Sequence, residues 1–338
     1  MSNDIRKNAA TMPVEEFEAF MRACVLLKHE KVPGKDFSVY DQWVAVHGCI
    51  MGIRAPGESR FRNVGHQGIG FLPWHREYLR RFELALQSVV PGVTIPYWPW
   101  PMRPEPSSLF SNARIHRIFF SRSSQRDVGG LFAASGPSNP PSWWPSGFAW
   151  EVHEDLRVAS APVLRRGSSE DGWPPTAAAV RAVENLNRSS PGVNPYWAFW
   201  RRLEGGRRMH NSGHNIVGGY MANPVFSPND PIFWIHHSFV DRVWWRWQTK
   251  RLAEGGTRLS HYPPQSEVSP INGRLPHPGH RRDDLMWPWV GTTSGFAVNA
   301  PNAVQRMLPD FSSEPGRRIR DVLNIGDLGA DLGGYAYA

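Results

Sequence analysis

The feature that most constrains this chain is the distribution of its histidines. His47, His75, His210, His214, His236 and His237 lie in stretches with helical periodicity, and His66 lies in a loop just before one of them. They form two groups, one between residues 47 and 75 and one between 210 and 237. Residues four apart on a helix share a face, with Cβ atoms roughly 5–6 Å apart, so His210 and His214 can hold one metal ion between them. A third histidine from an antiparallel neighbour completes a three-nitrogen set, and the first group can do the same. Two such sets facing each other inside a bundle hold two metals close together. Spacing does not decide between His236 and His237, which point about 100° apart on a helix.

The donor set narrows the metal. Imidazole suits zinc, copper, iron and nickel. Helical-bundle di-iron sites use glutamates in a Glu-x-x-His pattern, which "HREYLRRFE" and "HHSFVD" lack. Hydrolytic two-metal sites also want bridging carboxylates, and none is suitably spaced here. A neutral, all-nitrogen site favours copper. A pair of coppers cycling between Cu(I) and Cu(II) matches the two electrons that O2 takes up. The remaining histidines, His29, His116, His153, His261, His277 and His280, read as ordinary core or surface residues. "PHPGHRRDD" mimics a ligand pair but lies in a proline-rich loop with no partner set.

The rest of the sequence supplies a helical frame. Helical patterns run over 14–31, 38–53, 73–90, 197–219 and 231–253, with Ser38 placed as a cap, Pro73 and Pro231 near helix starts and Gly205-Gly206 interrupting the fourth. A shorter pattern covers 176–189. Segment 101–195, rich in Pro, Ser, Gly and Trp, and the last 80 or so residues read as loop. With 31 Pro and 31 Gly, loops take a large share, and 16 Trp point to an aromatic-rich core. The expected fold is mainly α, a four-helix bundle plus one peripheral helix around a dimetal site, with long loop excursions and few short strands. Residues 1–338 are expected to form a single catalytic domain.

The formal charge of +8 comes from scattered arginine pairs without a nucleic-acid motif. It suits steering of an anionic substrate or an acidic protein partner. Two cysteines, Cys24 and Cys49, make no disulfide framework. The N-terminal stretch has no apolar leader and there is no run of 18 apolar residues. The expectation is a cytoplasmic protein without a membrane span, or one exported only with a partner.

These residues resemble the type-3 copper proteins, most closely the bacterial tyrosinase and o-aminophenol oxidase branch. "VGHQGIGFLPWHREYLRRFE" is similar to the copper-A motif and "SPNDPIFWIHHSFVDRVWWRWQ" to the copper-B motif. "HNSGHNIVGG" resembles the copper-B helix pair and "IPYWPW" the segment after the copper-A helix. The likeness covers roughly 38–100 and 196–250 and is weak in 101–195. It implies that His47, His66 and His75 hold copper A, that His210, His214 and His237 hold copper B, and that His236 is a neighbour outside the ligand set. It also implies a C-terminal Tyr-x-Tyr closure of the core by Tyr335 and Tyr337. Some relatives carry a cysteine two residues before the second copper-A histidine. Val64 stands there in this chain, and Cys49 reads as a packed core thiol. Pro99 replaces the aspartate of the family's Tyr-Trp-Asp-Trp. The expectation is that no large shielding domain follows the Tyr-x-Tyr and that a separate copper-delivering caddie protein takes its place.

The implied chemistry is O2-dependent oxidation of o-diphenols or o-aminophenols to o-quinones or o-quinone imines. Ortho-hydroxylation of a monophenol also requires deprotonating a phenol whose pKa is about 10, so a base helps. The resemblance gives that task to a water held by Glu204 and Asn211, with Asn215 tuning the substrate at the pocket entrance. The plain alternative for Glu204 is a surface acid paired with Arg201 or Arg208. Three functions stay open: a tyrosinase-type phenol oxidase, a catechol or o-aminophenol oxidase of secondary metabolism with little hydroxylase activity, and a non-enzymatic O2 carrier.

Overall fold

The computed structural model describes residues 4–101, 130–133, 135–164, 166, 175–187, 191–205, 209–257 and 259–338. Its long helices are α1 (Val14–His29), α2 (Val39–Cys49), α3 (Phe71–Val89), α4 (Ala177–Glu184), α5 (Tyr196–Gly205), α6 (His210–Val217) and α7 (Ile232–Ala253). The described strands are two or three residues long. β1 (Asp4–Arg6) pairs in parallel with β4 (Tyr335–Tyr337), and β2 (Ile53–Arg54) pairs antiparallel with β3 (Ala297–Val298). The mainly helical fold with few strands is as the sequence leads one to expect.

Local chemistry sets where the helices begin and end. Ser38 caps α2 with a reciprocal box: the Asp41 N–H donates to Ser38 Oγ at 3.1 Å and the Ser38 N–H to Asp41 Oδ2 at 2.8 Å. Pro73 lies in the first turn of α3, where a missing N–H leaves no helical bond unmade. α6 stops at Gly218, whose φ of 67° lies in the left-handed region. One expectation is corrected. The stretch 197–219 is not one interrupted helix but two, α5 ending at Gly205 and α6 beginning at His210. Two consecutive glycines cost helix stability on the order of 1 kcal/mol each relative to alanine, enough to end α5. The residues 206–208 between them lie outside the described set.

α3 and α7 pack against each other at the centre, with α1 against α2 and α3 and α6 against α7. Phe82 of α3 stacks on Trp234 of α7 with ring centroids 3.5 Å apart, and Tyr78 and Tyr40 pack around the same indole. Trp74, Trp98, Trp100, Trp150, Trp244, Trp247 and Trp289 are also fully buried, which is the aromatic core that the tryptophan content suggests. Cys24 and Cys49 are free, buried thiols, and burial pushes Cys49 up to about 12. No helix among the described residues is long and apolar enough to cross a membrane.

A buried charge network fixes α3 against α7 and ties the two chain ends to both. Arg76 Nε donates to Asp241 Oδ1 at 2.6 Å, and the guanidinium lies 3.6 Å over the Trp244 ring. Tyr335 and Tyr337 both donate to Asp241 Oδ2, at 2.5 and 2.7 Å. Arg6 makes a two-point bond to Glu83 at 2.9 and 3.1 Å and stacks over Tyr335. Removing one partner of such a set strands buried charge, which costs more than the pair itself contributes. Asp241→Ala is therefore expected to destabilise the protein by about 3–5 kcal/mol, and Tyr337→Phe by about 1 kcal/mol. Both are read by denaturant unfolding.

Candidate metal centre

The histidines that the sequence groups together are brought together. His47 leaves the last turn of α2, His75 leaves α3, and His66 comes from the loop between them. Their ring centroids stand 4.9–5.8 Å apart, and one ligand atom from each falls within 4.8 Å of the others. His210 and His214 leave α6 and His237 leaves α7. Their Nε2 atoms lie 3.1 Å (His210–His214), 3.2 Å (His214–His237) and 3.4 Å (His210–His237) apart. The two groups meet where His75 stacks on His237, centroids 4.3 Å apart and planes 9° from parallel. Phe71 and Phe233 fill the space around both.

The Nδ1 atoms decide what the Nε2 atoms can do. His47 Nδ1 lies 3.0 Å from the Val225 carbonyl, His75 Nδ1 2.9 Å from that of Phe71 and His214 Nδ1 2.8 Å from that of Met221. His210 Nδ1 meets Asn211 Oδ1 at 3.0 Å, and His66 Nδ1 meets Asn63 Oδ1 at 3.3 Å. A carbonyl oxygen only accepts, so each of these Nδ1 atoms carries the proton and each Nε2 presents a lone pair. The Nε2 atoms of His47 and His75 are buried without a partner. In the second set, a point equidistant from the three Nε2 atoms lies about 1.9 Å from each, close to the about 2.0–2.1 Å of an imidazole–metal bond. Burial holds all of these imidazoles well below the usual histidine range, His47 at about 3 and His214 at about 4, so they are neutral ligands at neutral pH. The donors and their spacing, and the tautomers of the five rings whose Nδ1 is bonded, fit a pair of metal ions.

His236 lies within the same cluster, but its protonation sets it apart. Its Nδ1 accepts from Trp100 Nε1–H at 2.9 Å. A neutral imidazole that accepts at Nδ1 carries its proton at Nε2, which leaves no lone pair for a metal. Geometry thus favours His237 over its neighbour. Gly213 makes room for the His236 ring, since a Cβ there would lie 2.2 Å from Cε1.

A cavity of about 560 Å3 opens onto the centre, lined by His66, His210, His214, Glu204, Asn211 and Asn215 among others. None of its described lining comes from 130–195. Glu204 is not a surface acid paired with Arg201. It is buried, with Oε1 accepting the Gln67 N–H at 2.5 Å and Oε2 accepting Trp200 Nε1–H. Burial raises its carboxyl to about 7, against the lowering effect of those two bonds. Gln67, Trp200 and Asn63 carried no signal in sequence, because their roles are contacts with residues far along the chain. Arg208 lies outside the described residues. His277 and His280 pair with each other, ring centroids 3.9 Å apart, and join neither metal set.

The comparisons agree with this geometry. A family model described as the common central domain of tyrosinase matches residues 37–250. A tyrosinase of Streptomyces antibioticus is 37% identical over 268 residues, covering 75% of this chain and 88% of that protein. Grixazone synthase of Streptomyces griseus is 30% identical over 272 residues, covering 73% and 84%. A polyphenol oxidase structure from Thermothelomyces thermophila superposes with a TM-score of 0.58 at 18% identity, covering 99% of this chain and 89% of that one. An octopus hemocyanin unit gives 0.56 at 18% identity, covering 98% and 67%. The last two show a shared fold.

The raised Glu204 carboxyl has a consequence for the metal-free protein. An acid whose folded pKa exceeds its unfolded one binds more protons when folded, so it lowers stability as pH rises between the two values. Denaturant unfolding of Glu204→Gln against wild type is expected to shift in favour of the variant by on the order of 3 kcal/mol between pH 4.5 and 7. A difference that stays flat with pH contradicts the assignment.

Proposed function

The chain belongs to the tyrosinase family of binuclear copper proteins, and from that premise we propose how its residues divide the work of a copper-dependent phenol oxidase. His47, His66 and His75 hold copper A, and His210, His214 and His237 hold copper B, with His236 beside them as the acceptor of the Trp100 indole. The observation that carries this reading is the triangle of three Nε2 atoms 3.1–3.4 Å apart, into which His210 and His214 turn their lone pairs. When bound, a pair of coppers supplies the two-electron exchange between O2 and the phenolic ring. Residues 1–338 act as one catalytic domain, with its core in 38–100 and 196–250 and the segments 101–195 and 251–338 around it.

The protein's own part is to admit, orient and deprotonate a substrate. A cavity of about 560 Å3 takes a single substituted ring beside His66, His210 and His214. Glu204, at about 7, is matched to taking a phenolic proton near neutral pH, directly or through a water shared with Asn211. Each of its oxygens keeps a free lone pair after accepting from Gln67 and Trp200. Asn215, on the same cavity wall, contacts the ring substituents. This supports monophenol ortho-hydroxylation followed by o-diphenol oxidation. A separate caddie protein that delivers copper belongs to the same reading. The partly exposed His66 and His214 give metal a route in from the cavity.

One observation favours a second reading, an o-aminophenol or catechol oxidase with little hydroxylase activity. Arg201 lines the cavity and is exposed, so it suits a carboxylated aminophenol, and one relative is a grixazone synthase. The O2-carrier reading has only the shared fold behind it.

Offering the copper-loaded protein tyramine, catechol and 3-amino-4-hydroxybenzoate separates these readings. Oxidation of all three is expected. Lag-free turnover of only the two ortho-substituted substrates excludes the hydroxylase, and turnover of none excludes both oxidase readings. Glu204→Gln is expected to slow tyramine hydroxylation by about 10²–10⁴-fold while catechol oxidation changes far less. Metal analysis of His210→Ala is expected to find one copper per chain instead of two. Two retained coppers contradict the ligand assignment.

A further inference from the structure

His66 is the one proposed ligand that no helix carries. His47, His75, His210, His214 and His237 inherit their positions from α2, α3, α6 and α7, whereas His66 depends on the loop before α3. That loop does not hold its shape unaided. Gln67, next to the ligand, has φ 58°, a conformation that non-glycine residues rarely adopt. Groups from the far half of the chain grip it. Glu204 accepts the Gln67 N–H, and the Tyr196 hydroxyl donates to the Ile69 carbonyl at 2.8 Å. The third grip is His280, whose Nε2–H donates to the Val64 carbonyl at 3.0 Å.

His280 does more than make one hydrogen bond. Its ring sits in a cradle formed by two loop glycines. A Cβ at Gly68 would lie 2.0 Å from the imidazole and one at Gly70 2.5 Å from it. Neither glycine has a positive φ, so both are there for space rather than for backbone freedom. The ring is 1% exposed and is backed by His277. Its backbone is pinned as well. Asp284 Oδ2 accepts the N–H groups of Gly279 and Arg281 at 3.0 and 3.1 Å, and the His280 carbonyl accepts the Tyr262 hydroxyl at 2.5 Å.

We propose that His280 is a positioning residue of the dicopper site: wedged against Gly68 and Gly70 and bonded to Val64, it fixes loop 64–70 and so aims His66 at copper A. The proposal rests on His66 being a copper-A ligand. Loss of the wedge leaves the other five ligands on their helices and frees only His66, so the damage falls on one copper.

The test compares wild type with H280A, H280Q, G68A and H66A. It reads copper per chain, the rate at which a chelator removes each copper, and amide hydrogen exchange over 64–70 in the metal-free proteins. H280A is expected to fold with wild-type helicity, to lose one copper about 10- to 100-fold faster than wild type while holding the other, and to exchange faster over 64–70. H280Q, whose amide nitrogen reaches toward the position of Nε2, is expected to recover much of the lost retention. G68A keeps His280 but drives a methyl into its ring. It carries the same expectation should H280A fail to fold, and adding H280A to G68A is expected to relieve rather than deepen its defect. Equal loss of both coppers, or two coppers released at wild-type rates with unchanged loop exchange, overturns the proposal. A general packing role would lower thermal stability without separating the two coppers. H66A is expected to bind one copper. If it keeps both, the ligand assignment falls, and the role of His280 with it, whereas a one-copper H66A beside an unaffected H280A removes only the wedge.

Discussion

The rest of the structure depends on lone pairs that point at one another. In the set formed by His210, His214 and His237, three Nε2 atoms stand 3.1–3.4 Å apart, and the Nδ1 contacts of His210 and His214 leave those two no proton to share. The lone pairs of His210 and His214 repel each other until a proton or a cation comes between them. The protein aims five of the rings by anchoring their opposite sides: Val225 and Met221 for His47 and His214, Phe71 for His75, and side-chain amides for His66 and His210. Metal affinity and fold are therefore one problem, because the acceptors that aim the imidazoles are themselves placed by the fold.

Two further layers keep that geometry in place. Phe71, Phe233 and Trp74 exclude water around the rings, and burial keeps the histidines neutral. Beyond them, the Arg76–Asp241 pair joins α3 to α7. Arg76 follows His75 directly, and Asp241 lies one helical turn from His237. The ion pair that sets the register of the two helices therefore also sets the stacking of His75 on His237. Tyr335 and Tyr337 close on the same carboxylate, so the C-terminal strand reinforces a contact close to the metal centre. Glu204 links cavity to loop in a similar way, lining the substrate space while bonding the backbone beside His66.

Much of this was legible in the sequence, and the reasons are local. α1, α3 and α7 appear close to where helical periodicity places them, and α2 starts at its Ser38 cap but ends at Cys49, short of the expected 53, where Ile53 has already entered β2. The division at Gly205 was read as an interruption rather than an end, since glycine weakens a helix by an amount that packing can override either way. Glu204 could be proposed through the family resemblance, which points to an acid upstream of the histidine pair. That it is buried, bonded to Gln67 and raised to about 7 could not. His280 looked like a loop residue, because its contact with Val64 crosses 216 residues of chain.

By itself, the sequence pointed to the kind of site: imidazoles with no carboxylate at bridging spacing, at helical spacing, in two sets that an antiparallel bundle can bring together. Residue type and periodicity carry that information because they depend on neighbours within a turn or two. The tertiary structure alone shows that the Trp100 indole claims Nδ1 of His236, which favours His237 as the member of the doublet left for a metal. It alone decided that burial holds the Glu204 carboxyl near 7, and that the loop carrying His66 has a positive φ at Gln67 and is gripped from across the fold. Lone-pair direction, dielectric environment and steric wedging are set by atoms far apart in the chain, and no local pattern encodes them.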